Sequence, residues 1–83
     1  MKIKIILFAS AREIVGKEKL EMEFKEGARV SDCKASLLKA FPSIGRIIDK
    51  CSYAVNTDIK SDDYILNEGD EVAVLPPVSG GDG

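Results

Sequence analysis

Val30-Ser31-Asp32-Cys33-Lys34-Ala35-Ser36-Leu37-Leu38-Lys39-Ala40-Phe41-Pro42 sets Val30, Cys33, Leu37 and Phe41 at spacings of 3, 4 and 4. An α-helix brings residues so spaced onto one face, and Leu38 is expected to widen that stripe. Ser31 is the expected N-cap, and Asp32 stands where the positive end of the helix dipole favours a carboxylate. Pro42 ends the helix, because its ring has no N–H to give and crowds the preceding turn. A single amphipathic helix cannot hide its own stripe, so the rest of the chain must supply a surface to cover it.

That surface reads as strands on both sides of the helix. Upstream, Leu20-Glu21-Met22-Glu23-Phe24 alternates with Leu20, Met22 and Phe24 inward, and Lys25-Glu26-Gly27 forms a turn. Before it, residues 2–8 place Ile3, Ile5 and Leu7 on one face and Lys2, Lys4, Ile6 and Phe8 on the other. The apolar Ile6 and Phe8 predict a central strand covered on both faces near its end. Ser10 is the expected cap of a short helix over Ala11–Val15, which Gly16 stops. Downstream, Ser43–Ile48 reads as a short helical turn, Ser52–Asn56 as a strand, Asn56-Thr57-Asp58 as a turn and Lys60–Asp63 as a solvated loop. Tyr64-Ile65-Leu66 is a short apolar piece before the turn signal Asn67-Glu68-Gly69-Asp70, and Glu71–Leu75 is the last strand, closed by Pro76-Pro77. The handedness of strand–helix–strand connections sets the first and last strands side by side. Periodicity thus reaches an α+β domain in two layers, one main helix across a mixed sheet, which points to the ubiquitin-like β-grasp. Residues 1–77 are expected to form it, with 78–83 as a flexible tail.

Composition limits the chemistry. Eighty-three residues of net charge −2, with 45% hydrophobic and 31% charged, describe one small globular domain with little room for a deep private active site. With no histidine, no Ser-His-Asp or Cys-His site can form. Two cysteines, Cys33 and Cys51, cannot supply a four-cysteine metal site, and so few in a small chain suit a reducing cytoplasm, so no bound metal or cofactor is expected. The acidic balance argues against nucleic acid as partner. The apolar start of the chain meets Arg12-Glu13 too soon for a targeting segment, and no run suits a membrane helix.

The stretch Gly69-Asp70-Glu71-Val72-Ala73-Val74-Leu75-Pro76-Pro77-Val78-Ser79-Gly80-Gly81 closely resembles the C-terminus of the small subunits of molybdopterin synthase, the MoaD family of ubiquitin-like sulfur carriers. Leu7–Gly16 resembles the same family's first strand and helix, and Ala54-Val55-Asn56 a third block, so the likeness runs nearly end to end. Sulfur carriers of thiazole synthesis share the fold and Gly-Gly but typically lack the Pro-Pro-Val-Ser run. Carriers for tRNA thiolation, ubiquitin-like modifiers and a non-catalytic interaction domain stay open as rivals.

The resemblance implies a carrier that shows no catalysis alone. A ubiquitin-activating-like adenylyltransferase would consume ATP to activate the terminal glycine carboxylate, which becomes a thiocarboxylate. The tail would then enter the large synthase subunit, in an assembly of two small and two large subunits, and give up sulfur for the molybdopterin dithiolene. Gly81 would be the acyl carrier and Gly80 would let the tail thread, since glycine tolerates both signs of φ. Pro76 and Pro77 would stiffen the exit, with Val78 and Ser79 completing the inserted segment. Phe8, Ile59 and Leu75 match family positions that form an apolar patch, and Arg12 a position that docks the activating enzyme. The bland readings are core packing for these three and a solvated Arg12–Glu13 pair.

One feature departs from the family: Asp82-Gly83 follows Gly81. A peptide bond there ties up the carboxylate, so the form ending at Gly81 is expected to be active and the longer form inactive. Proteolytic trimming, an origin of the two residues in added sequence or an unusual gene end, and use of Gly83 itself or loss of the carrier role remain open. Cys33 is expected in the core. Cys51 lies at a strand start and stays open as a reactive thiol, though the sequence alone identifies no neighbouring cation to activate it. The acidic residues Asp58, Asp62, Asp63, Glu68, Asp70 and Glu71 are expected to solubilise this half of the chain and to steer docking toward basic partner surfaces.

Overall fold

Helix α2 spans Val30–Ala40 and buries Val30, Cys33 and Leu37 completely. In a computed structural model that describes residues 1–77, it lies over one face of a five-stranded mixed sheet. The remaining elements are β1 (Lys2–Leu7), α1 (Ala9–Val15), β2 (Lys19–Glu23), β3 (Ser52–Val55), β4 (Asp58–Ile59) and β5 (Glu71–Leu75). Two 3₁₀ turns, Pro42–Arg46 and Ile48–Lys50, link α2 to β3. The strand order is β2-β1-β5-β3-β4. The first and last strands do pair, in parallel, with Ile5 beside Val72 and Leu7 beside Val74.

Alternation gives the sheet two unlike faces. Ile3, Ile5, Leu7, Val72, Val74, Tyr53 and Val55 point toward α2 and are buried, and Ile44, Ile48 and Leu66 close the core from the connecting segments. Each fully buried aliphatic side chain of this kind contributes about 1.5–3 kcal/mol through removal from water. Tyr53 keeps its hydroxyl satisfied in that core by donating to the Ile48 carbonyl at 2.7 Å.

Several local expectations are corrected. Ser31 is not the N-cap of α2. The helix begins two residues earlier, with Arg29 at the N-cap, and the Asp32 carboxylate accepts the Arg29 N–H at 2.7 Å, meeting an otherwise free donor of the first turn. Ser10 lies inside α1, which starts at Ala9 without a side-chain cap. Gly16 does end it, at φ 82°, donating its N–H to the Arg12 carbonyl. Leu38 does not widen the buried stripe; it is 43% exposed. Ile6 and Phe8 are not covered by a second layer, since no element packs over that face among the described residues. Strand β4 departs from the turn read over Asn56-Thr57-Asp58. The turn residues Asn56 and Thr57, at φ 50° and 78°, fold the chain back so that Asp58 and Ile59 pair with Val55 and Ala54. That is a two-residue hairpin of the kind whose twist matches its strands.

Candidate docking face and tail exit

The uncovered face of the sheet is organised in rows by the register. One row runs Lys19, Ile6, Ala73, Ala54, Ile59 across all five strands. The next, toward the C-terminal end of β5, brings Leu75 opposite Ser52. Phe8 follows Leu7, the partner of Val74, and so comes level with Leu75. The row on the other side is charged, with Glu21, Lys4 and Glu71 in register. The face therefore grades from apolar at the end where β5 finishes to charged at the end where it begins. Ile59 is 63% exposed and Phe8 43%, and Ile6, Ala73 and Leu75 are partly exposed. Water-facing apolar side chains that adjoin one another mark an interaction surface.

Local backbone geometry keeps Phe8 outside. Ala9 takes φ 48°, a left-handed conformation that an alanine adopts at a cost, and turns the chain from β1 into α1. Phe8 stays at the junction while Leu7 enters the core at 1% exposure. The core reading of Phe8, and equally of Ile59, is thereby excluded. A small hollow of about 220 Å³ sits at the charged end, lined by Lys4, Ile6, Lys19, Leu20, Glu21 and Glu71.

The start of β5 is locked by a polar network. Asp70 is 8% exposed. One carboxylate oxygen accepts the Asn56 side-chain amide at 2.8 Å and the other the Asn67 N–H at 2.8 Å. Asn56 in turn accepts the Glu71 N–H at 3.0 Å on its side-chain oxygen and donates its own N–H to the Glu71 carbonyl. The β3–β4 hairpin and the turn before β5 are thus tied together where β5 begins.

The structure brings Phe8, Leu75, Pro76 and Pro77 to one end of the sheet, because β1 and β5 run parallel and finish together. Ile59 joins them across the row that contains Ala73 and Ala54. Arg12 lies on α1, which packs against β5, and its exposed guanidinium pairs with Glu18 at 3.5 Å, not with Glu13. Val78, Ser79, Gly80 and Gly81 lie outside the described residues, as do Asp82 and Gly83. Sequence reasoning missed Ile6 and Ala73 as members of the docking patch, and Ala54, buried at 5%, as the residue of the same row that links them to Ile59. The signal existed in their alternation opposite Ile5, Val72 and Val55, but only the register shows that they share a row.

The acidic residues do not act as one cluster. Asp70 serves the turn, the Glu68 carboxylate accepts the Lys2 N–H at 3.0 Å, and Asp62 pairs with Lys34 at 3.2 Å. Both thiols are free. Burial pushes Cys33 up to about 12. Cys51 donates to the Ile47 carbonyl at 3.3 Å and is also raised, chiefly by burial, with Tyr53 and Lys34 pulling the other way. Neither is an activated nucleophile. Among the described residues, no group of three or more Cys, Asp or Glu side chains could hold a metal ion, and no helix is long and apolar enough to cross a membrane.

Known proteins resemble this arrangement over their full length. The model of the ThiS family matches residues 5–81. The molybdopterin synthase sulfur carrier subunit of Chlamydomonas reinhardtii is 36% identical over 83 residues, spanning 98% of this chain and 100% of that one. The subunit of the same name from Escherichia coli K12 is 35% identical, spanning 95% and 99%. Among solved structures, a Pyrococcus furiosus protein provisionally assigned as molybdopterin converting factor, subunit 1, superposes with a TM-score of 0.87 at 34% identity, covering 94% of this chain and 99% of that one. These similarities bear out the expected β-grasp fold and the resemblance read from the sequence.

Proposed function

The chain belongs to the ThiS family, and from that premise we propose that it works as the sulfur carrier subunit of a molybdopterin synthase. The observation that carries this reading is the pairing of β1 with β5. It sets the exit of the tail beside the most apolar part of an uncovered sheet face. A partner that covers Phe8, Leu75 and Ile59 would hold the folded body still while the tail reaches into its active site. Full-length similarity to sulfur carrier subunits from an alga and a bacterium supports the same assignment.

The chemistry belongs to the end of the polypeptide. A carboxylate is a poor acyl donor. The Gly81 carboxylate would attack the α-phosphate of ATP on the adenylating partner, releasing pyrophosphate and leaving an acyl-adenylate. A sulfur nucleophile would then displace AMP and leave a thiocarboxylate. Each loaded carrier delivers one sulfur, so one dithiolene consumes two. The sequence contains no histidine, and the acid–base work would fall to the partners. The large subunit would take the apolar end of the face, and Arg12 would help engage the adenylating enzyme. Pro76-Pro77 restricts the backbone at the exit and reduces the entropy lost when the tail inserts.

Reconstitution tests the proposal. The chain ending at Gly81, an activating enzyme, ATP, a sulfur donor, the large subunit and a pterin precursor should together yield molybdopterin, and omission of this chain should abolish it. A chain retaining Asp82-Gly83 should give none unless a protease is added. Product formed without this chain, or thiazole formed in its place, would contradict the assignment.

A further inference from the structure

Strand β2 is an open edge of the sheet, and two hydrogen bonds at its ends set its ladder phase. Leu7 donates to the Glu18 carbonyl and Phe24 to the Met1 carbonyl. The intervening pairs Ile5–Leu20 and Ile3–Met22 therefore exchange the hydrogen bonds with β1. The N–H and C=O groups of Lys19, Glu21 and Glu23 consequently point away from the sheet, and among the described residues none has a backbone partner. Beside this edge, between β2, the following turn and α2, runs a groove of about 470 Å³. Phe24, Ala28 and Ala35 give it apolar walls, and Glu23, Glu26 and Asp32 outnumber Lys25 at its rim.

We propose that this edge and groove bind an extended segment of another protein that alternates small apolar and basic residues, added as a sixth strand. The phase dictates the pattern. Residues of the added strand opposite Glu21 and Glu23 stand on the same face as those carboxylates, where Lys or Arg gives a favourable cross-strand pair. Residues opposite Leu20 and Met22 turn to the other face, that of α2, and the strand's continuation past Glu23 and Phe24 meets the groove. Main-chain bonds supply affinity and the alternation supplies selectivity. The site lies across β1 from the apolar end of the docking face, so it goes beyond the sulfur-carrier reading.

A short peptide alternating lysine and valine is the probe, titrated into the full chain and followed by amide NMR and hydrogen exchange. Its binding should slow exchange at Lys19, Glu21 and Glu23 and leave Leu20 and Met22, already bonded to β1, unchanged. The double variant Glu21→Gln/Glu23→Gln should weaken binding at least about fivefold. Glu21→Pro removes an outward N–H without touching the β1 ladder, and should abolish binding with the fold retained. A peptide alternating glutamate and valine should not bind. No saturable binding, or shifts confined to Phe8, Ile59 and Leu75 or to α2, would overturn the proposal. So would an undiminished affinity in the double variant, which stays decisive if Glu21→Pro does not fold. Sulfur loading at Gly81 is measured separately, and its outcome leaves this test unaffected.

Discussion

Asp70 shows how one side chain ties a turn to a hairpin. Its two oxygens hold Asn56 and Asn67, and Asn56 holds Glu71. Asp70→Ala leaves the Asn56 side-chain amide and the Asn67 N–H without their acceptor, and should cost about 2 kcal/mol in urea denaturation. Cys33 makes a prediction of a different kind. Its thiol is neutral up to about 12 in the folded state, against about 9 when unfolded. Between those values the unfolded chain has released a proton that the folded chain retains, so stability is unaffected below pH 9 and falls as pH rises beyond it. Tyr53, raised by burial and by the neighbouring Cys51 and Cys33, acts in the same direction. Thermal melts across pH 8–11 should show that decline, with a shallower slope in Cys33→Ala. Core membership of Cys33 was legible from helical spacing alone. The exposure of Phe8 was not, because it depends on the left-handed turn at Ala9.

Elements with strong periodicity were legible and those built on turn geometry were not. β1, β2, β5 and α2 follow from alternation or from the helical stripe. Strand β4 contains only Asp58 and Ile59, too short for any period to register, and exists because Asn56 and Thr57 both take positive φ. A threonine at φ 78° is strained where glycine would not be. Thr57→Gly should therefore stabilise the protein by about 0.5–1 kcal/mol, after the entropy lost by glycine is deducted, read as a higher urea midpoint with an unchanged slope. Both helix caps lie two residues before the expected Ser10 and Ser31, at Phe8 and Arg29, because serine is a good cap residue by type but neither serine caps here. The chain instead used Asp32, which reaches back to Arg29, for α2.

The whole molecule is a sheet with one face committed to its core and the other graded from apolar to charged. The fold was readable because a single amphipathic helix demands such a sheet. The docking face was readable only in part, since Ile6, Ala73 and Ala54 join Ile59 through long-range register. Ile59→Asp and Leu75→Glu place charge on exposed or half-exposed positions, so both variants should fold with melting temperatures near that of the parent. Each should weaken binding of the large subunit by at least about tenfold in calorimetry, as loss of an apolar interface anchor does. The central claim, that the Gly81 carboxylate is the reagent, is tested most directly by intact mass after incubation with activating enzyme, ATP and a sulfur donor. The chain ending at Gly81 should gain the mass of one oxygen exchanged for sulfur, whereas the chain retaining Asp82-Gly83 should stay unchanged. The same gain on the longer chain, or none on the shorter, would contradict the account.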